Sequence, residues 1–124
     1  MIGERPIDLY RCTGAPIVDG ETVPTWELLS IVASPQPAGR AFDWLPEGER
    51  QRVRWTLYTQ EALTLGREVD GEMLLADRVV INGEVGEILS VQDWAYQTGG
   101  LQHFVSAVGI GSPESPLSVP EVEP

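Results

Sequence analysis

The chain has 124 residues, with 19 acidic side chains set against eight arginines and no lysine, and a formal charge of −11. A chain of this length holds one core, since independent domains run to roughly 100–150 residues, and so negative a surface argues against general binding to nucleic acid or to an anionic membrane. The lone Cys12 cannot close an internal disulfide, no paired Cys/His spacing suits zinc, and no segment approaches the ~20 apolar residues that cross a bilayer, so neither metal, cofactor nor membrane is expected.

Glu4, Arg5 and Asp8 stand where a secretory signal would need an apolar run, so a soluble chain in a reducing cytosol is expected. Residues 7–12 form a strand candidate. In the stretch that follows, Asp19-Gly20 lies between apolar flanks and accepts the positive φ of a tight hairpin turn. Residues 26–33 make a strand that is apolar on both faces, Trp26, Leu28 and Val32 on one and Leu29, Ile31 and Ala33 on the other, as a central strand is. Pro35 and Pro37 lack the N–H groups of a ladder and are expected to stop it. Pro46 and Gly48 then forbid a long helix but allow an apolar turn that tucks Phe42, Trp44 and Leu45 against a sheet as a plug.

The cleanest alternation runs from Arg52, with Val53, Trp55 and Leu57 inward and Arg52, Arg54, Thr56 and Tyr58 outward. Together with Arg50, the arginines of this strand concentrate guanidinium groups on one face. They either meet an acidic face of a neighbouring copy or balance local acids such as Glu47 and Glu49. Residues 60–75 read as a short turn and a flexible loop. Asn82-Gly83 between β-branched flanks is the firmest type I′ hairpin signal in the chain, and a turn around Gly99-Gly100 precedes a last strand, so three strands form a meander. Trp94 closes the middle strand, where it anchors the meander or sits at a contact surface. Residues 111–124 are proline-rich and acidic, too poor in large apolar groups to order alone, and form a disordered tail. The expectation is an all-β domain over residues 1–110, a small barrel or sandwich of about five to seven short antiparallel strands with long loops.

Chemistry is sparse. His103 is the only histidine, so any triad must use it, yet no nucleophile elbow accompanies it. Asp93, Glu84 and Glu87 could pair as general acid and base, but acids beside hairpin turns are ordinarily solvated. No phosphate-binding loop or calcium-loop spacing occurs. A binding protein is expected rather than an enzyme.

The order of signals, a hairpin at Asp19-Gly20, a strand into Ala33-Ser-Pro-Gln-Pro, Leu45-Pro-Glu-Gly-Glu-Arg, a strand into Tyr58-Thr, Ala76-Asp-Arg-Val-Val-Ile-Asn-Gly-Glu and Val91-Gln-Asp-Trp, resembles the head-closure or head–tail joining (stopper) proteins of tailed-bacteriophage necks. Val85-Gly86 stands where that pattern carries an aromatic or charged residue, and the acidic tail is outside it. The resemblance implies a virion protein, made in the host cytoplasm, that forms a ring with its own copies between the portal or adaptor and the tail proteins. Genomic DNA would pass nearby without specific binding. The residues themselves agree with that reading: Arg50, Arg52, Arg54 and Trp94 are the expected contact residues, and edge strands can extend a sheet between copies. The rival readings are an acidic DNA-mimic inhibitor, which would gather its acids on one face, another small phage tail-completion protein, and a small hydrolase or isomerase built on His103.

Overall fold

The computed structural model of the chain describes residues 3–37, 52–93, 104–111 and 117–122, and these are all-β. The strands run in the order β1 (Arg5–Gly14), β2 (Ile17–Val18), β3 (Glu21–Thr22), β4 (Thr25–Pro37), β5 (Val53–Thr59), β6 (Arg67–Val69), β7 (Glu72–Leu74), β8 (Arg78–Ile81), β9 (Glu84–Asp93) and β10 (Phe104–Gly109). Six of them close into an antiparallel barrel, β1-β4-β5-β10-β9-β8, while β2-β3 and β6-β7 form separate hairpins. The last three strands are neighbours in sequence order, the expected meander. Closure leaves the main sheet few raw edges, so joining copies by extending a sheet, as the sequence suggested, would fall to short stretches such as the edges of the two hairpins.

Three two-residue turns shape the hairpins. Asp19-Gly20, Asp70-Gly71 and Asn82-Gly83 take φ values of 53° and 82°, 50° and 83°, and 53° and 78°. This doubly positive pattern is that of a type I′ turn, whose twist matches the right-handed twist of the flanking strands. The middle one lies in a segment expected to be a flexible loop; instead Arg67 pairs with Leu74 and Val69 with Glu72.

The barrel interior is aliphatic: Leu9, Leu57, Val79, Ile81, Ile88 and Val108 are fully buried, and Leu29, Trp55 and Val91 pack at their margin. Burial of such a side chain contributes about 1.5–3 kcal/mol, which makes this cluster the main source of stability. On β4 the inward set is Leu29, Ile31 and Ala33, whereas Leu28 and Val32 are exposed. This strand also runs through Pro35 and Pro37 instead of stopping. β1 begins at the Arg5–Ala33 pair, so among the described residues the ladder of β4 beyond Ala33 is to β5. Prolines two apart turn their nitrogens to the same side, and on the side away from β5 they interrupt no described ladder.

β10 slips register against both neighbours. Val108 and Gly109 face Trp55 and Val53, leaving Arg54 as the extra residue on β5, and Ala107 and Val108 face Ser90 and Ile88, leaving Leu89 extra on β9. The first bulge flips Val53, expected inward, to the outer face, where it packs with Leu89 against Ala107. Thr56 faces outward as expected but is buried, paired with Ala107. At the same crossing a Cβ on Gly86 would run into Val108 Cγ1 and lie 3.2 Å from the Gly109 carbonyl oxygen, which explains a glycine after Val85. Arg50, Trp94, His103, the 42–45 plug and the turn at Gly99-Gly100 lie outside the described residues. Of the tail, residues 117–122 are described; they form no strand, and the Ser118 carbonyl accepts a hydrogen bond of 3.1 Å from Arg78.

Candidate interaction surfaces

The start of β5 and the Asn82-Gly83 turn share one end of the barrel. There Glu84 accepts a hydrogen bond from Trp55 Nε1 at 3.1 Å and lies 3.6 Å from Arg54 Nε. Arg52 pairs with Glu87 and donates from Nε to the Ile110 carbonyl at 3.0 Å. Arg5 donates to the Asn82 side chain at 2.8 Å on the same rim. The two described arginines of the predicted stripe therefore differ. Arg52 is committed within the chain, tying the β5 start to β9 and to the end of β10, while Arg54 sits on the bulge with 54% of its side chain exposed. Its contact with Glu84 is long and wet, a kind of pair that contributes only about 0–1 kcal/mol, so the guanidinium is available to another acid at little cost. Among the described residues the acids these arginines meet are Glu84 and Glu87, two of the three weighed as general acid and base, and both are engaged in holding the rim together.

A second polar cluster, unforeseen in the sequence, closes the opposite end. Asp77 is fully buried and accepts from Arg11 Nε at 3.2 Å and Nη2 at 2.9 Å, from the Thr64 backbone N–H at 2.8 Å and from Thr64 Oγ1 at 2.5 Å. The Asp77 N–H donates to the Thr64 carbonyl at 2.9 Å, and its carbonyl accepts from Ile88 N–H at 3.0 Å. Arg67 extends the cluster, donating to Thr64 Oγ1 at 3.2 Å and to the Cys12 carbonyl at 3.0 Å. The hydrogen bond to Asp77 raises the Arg11 pKa above its ordinary value, against the opposing effect of burial. A buried carboxylate is tolerable only when its lone pairs are filled, and here two side chains and one backbone donor fill them. Every partner is thus internal, and the arrangement fixes loop 60–66 to the barrel rather than presenting a group to a ligand.

Trp26 lies on the outer wall against Cys12, Ala15 and Leu74, with the Arg78 guanidinium 5.1 Å from its ring centroid. This is a packed position with a cation–π contact. Among the described residues no group of three His, Cys, Asp or Glu side chains is arranged to hold a metal ion, and no helix is long and apolar enough to cross a membrane. What this geometry offers is contact: an arginine-bearing rim at one end and two projecting hairpins at the other. No protein-family model matches the chain, and no curated protein matches it.

Proposed function

We propose that the chain is a structural neck protein of a tailed bacteriophage, of the head-closure type, acting as a ring-forming subunit between portal and tail. The observation that carries the reading is the rim of the barrel: Arg54 stands exposed on a bulge beside the Asn82-Gly83 turn, its only described partner a distant, solvated Glu84. Closure of the barrel leaves contact between copies mainly to side chains, loops and the small hairpins, and this rim offers a cation on a strongly acidic chain. The β-hairpins at Asp19-Gly20 and Asn82-Gly83 on which the resemblance rests also support it.

The DNA-mimic reading draws on one observation. Acids that look scattered in sequence, Asp19, Glu21, Glu68, Asp70 and Glu72, come together on the two small hairpins. They share those hairpins with the exposed Ile17, Val18, Val69 and Met73, a composition unlike a phosphate backbone, and the neck reading is preferred for that reason. The test is genetic. Deleting the gene from its phage should give filled heads that leak DNA or fail to join tails. Wild-type protein supplied in trans should restore infectivity and the Arg54→Glu variant should not. Infectious particles of normal yield from the deletion would overturn the assignment; competition with DNA for a DNA-binding protein would install the mimic in its place.

A further inference from the structure

Going beyond the neck reading and standing apart from it, we infer that the groove between the two small hairpins docks a partner protein presenting an aliphatic or aromatic side chain framed by arginine or lysine. The hairpins lie side by side where β1 leaves the barrel. Leu74 of β7 packs with Cys12 and Ala15 and against Trp26, which seats one hairpin and leaves its outer face turned to solvent. Between the two is a groove of about 410 Å³ lined by Ala15, Ile17, Thr22, Gly71, Glu72 and Met73. Ile17 is 75% and Met73 63% exposed. Scattered exposed apolar residues are normal on a soluble surface, but here the two face one groove, and methionine is a side chain that adapts to varied apolar surfaces.

Charge selects the occupant. Asp19, Glu21, Glu68, Asp70 and Glu72 lie on the two hairpins that form the groove, Glu72 in its lining. The only basic residue on the hairpins, Arg67, donates to the Cys12 carbonyl and to Thr64. The two hairpins together are therefore net negative. Two copies meeting groove to groove would oppose these carboxylates to one another, and like charges brought together across an interface cost affinity. A cationic surface with an apolar centre satisfies both features at once: its side chain fills the groove and its guanidinium or ammonium groups meet the rim.

The probe is a short peptide of alternating leucine and arginine, added to the isotope-labelled full chain and followed by amide chemical shifts. Shifts are expected at Ile17, Thr22, Glu72 and Met73, with weakening as salt rises, because screening acts on exposed charges. Met73→Ser and Ile17→Ser should each bind about tenfold more weakly, the loss expected for one apolar contact, with unchanged thermal unfolding. Peptides of leucine with glutamate, or of serine with arginine, should bind far more weakly. Equal binding by either control, shifts confined to other surfaces, or full affinity in Met73→Ser would overturn the inference. Concentration-dependent dimerisation in ultracentrifugation that Met73→Ser abolishes would overturn it too, since the groove would then belong to a second copy.

Discussion

Arg11 and Asp77, separated by 66 positions in the chain, meet at one end of the barrel through both Arg11 Nε and Nη2, and the carboxylate between them and Thr64 is wholly buried. Removing Arg11 strands a carboxylate that water does not reach, and removing Asp77 leaves the Thr64 donors unpaired, in a setting where breaking a buried pair costs roughly 3–5 kcal/mol. Asp77→Ala should therefore lower the unfolding free energy by about 3 kcal/mol in urea titration and free loop 60–66 to amide exchange. A loss below about 1 kcal/mol would show the cluster to be incidental. Because the folded state raises the Arg11 pKa, its contribution is complete below the ordinary arginine value and fades only at more alkaline pH. Stability across neutral pH should be insensitive to this group.

Gly86 and Val108 form a second coupled pair. Gly86→Ala forces a methyl group into Val108 and should cost about 1–3 kcal/mol by overpacking. Adding Val108→Ala should make the double variant more stable than the sum of the single losses, a coupling measured by a double-mutant cycle. Additive losses would mean that the backbone, rather than Val108, excludes the side chain.

The two arginines of the β5 region should separate in a stability assay. Arg54→Glu breaks an exposed, 3.6 Å contact and is expected to change stability by no more than about 1 kcal/mol. Arg52→Glu sets a carboxylate against Glu87 and removes the donor to the Ile110 carbonyl, so its thermal midpoint should fall further. Equal effects would contradict the division of roles.

Amide exchange should divide the molecule in the same way. The meander strands β8 and β9 carry partners on both sides and should be well protected, whereas β2-β3 and β6-β7, two-stranded and partly solvated, should exchange quickly. Protected hairpins would mean that they are braced by more than the Leu74 packing and the Arg67 hydrogen bonds.

Local signals were legible and long-range ones were not. The turns at Asp19-Gly20 and Asn82-Gly83, and the alternation around Leu57, depend on neighbours in sequence, and the chain forms them where the pattern says. Asp70-Gly71 carries the same turn chemistry, but acids and the exposed Met73 obscured its flanks; the dipeptide itself was the available signal. The route of β4 through Pro35 and Pro37 depends on where β1 begins, the outward flip of Val53 on a bulge opposite β10, and the burial of Asp77 on Arg11. None of these is a property of the segment that displays it. The exposed arginine was foreseeable as a stripe, yet which arginine is free is decided by Glu84 and Glu87 across the barrel.

The order of strands around the barrel sets a condition on synthesis. β10, near the end of the chain, inserts between β5 and β9, so neither of those strands has its second partner until residues 104–109 have emerged. Until then the nascent chain carries two raw strand edges, and it also lacks Val108, part of the shared core. A ribosome paused before Phe104, or a chain cut there, would hold one open sheet, β5-β4-β1-β8-β9, rather than a smaller barrel, with both its edges open to pairing with any chain nearby. The finished molecule hides the very surfaces that its own assembly must briefly expose.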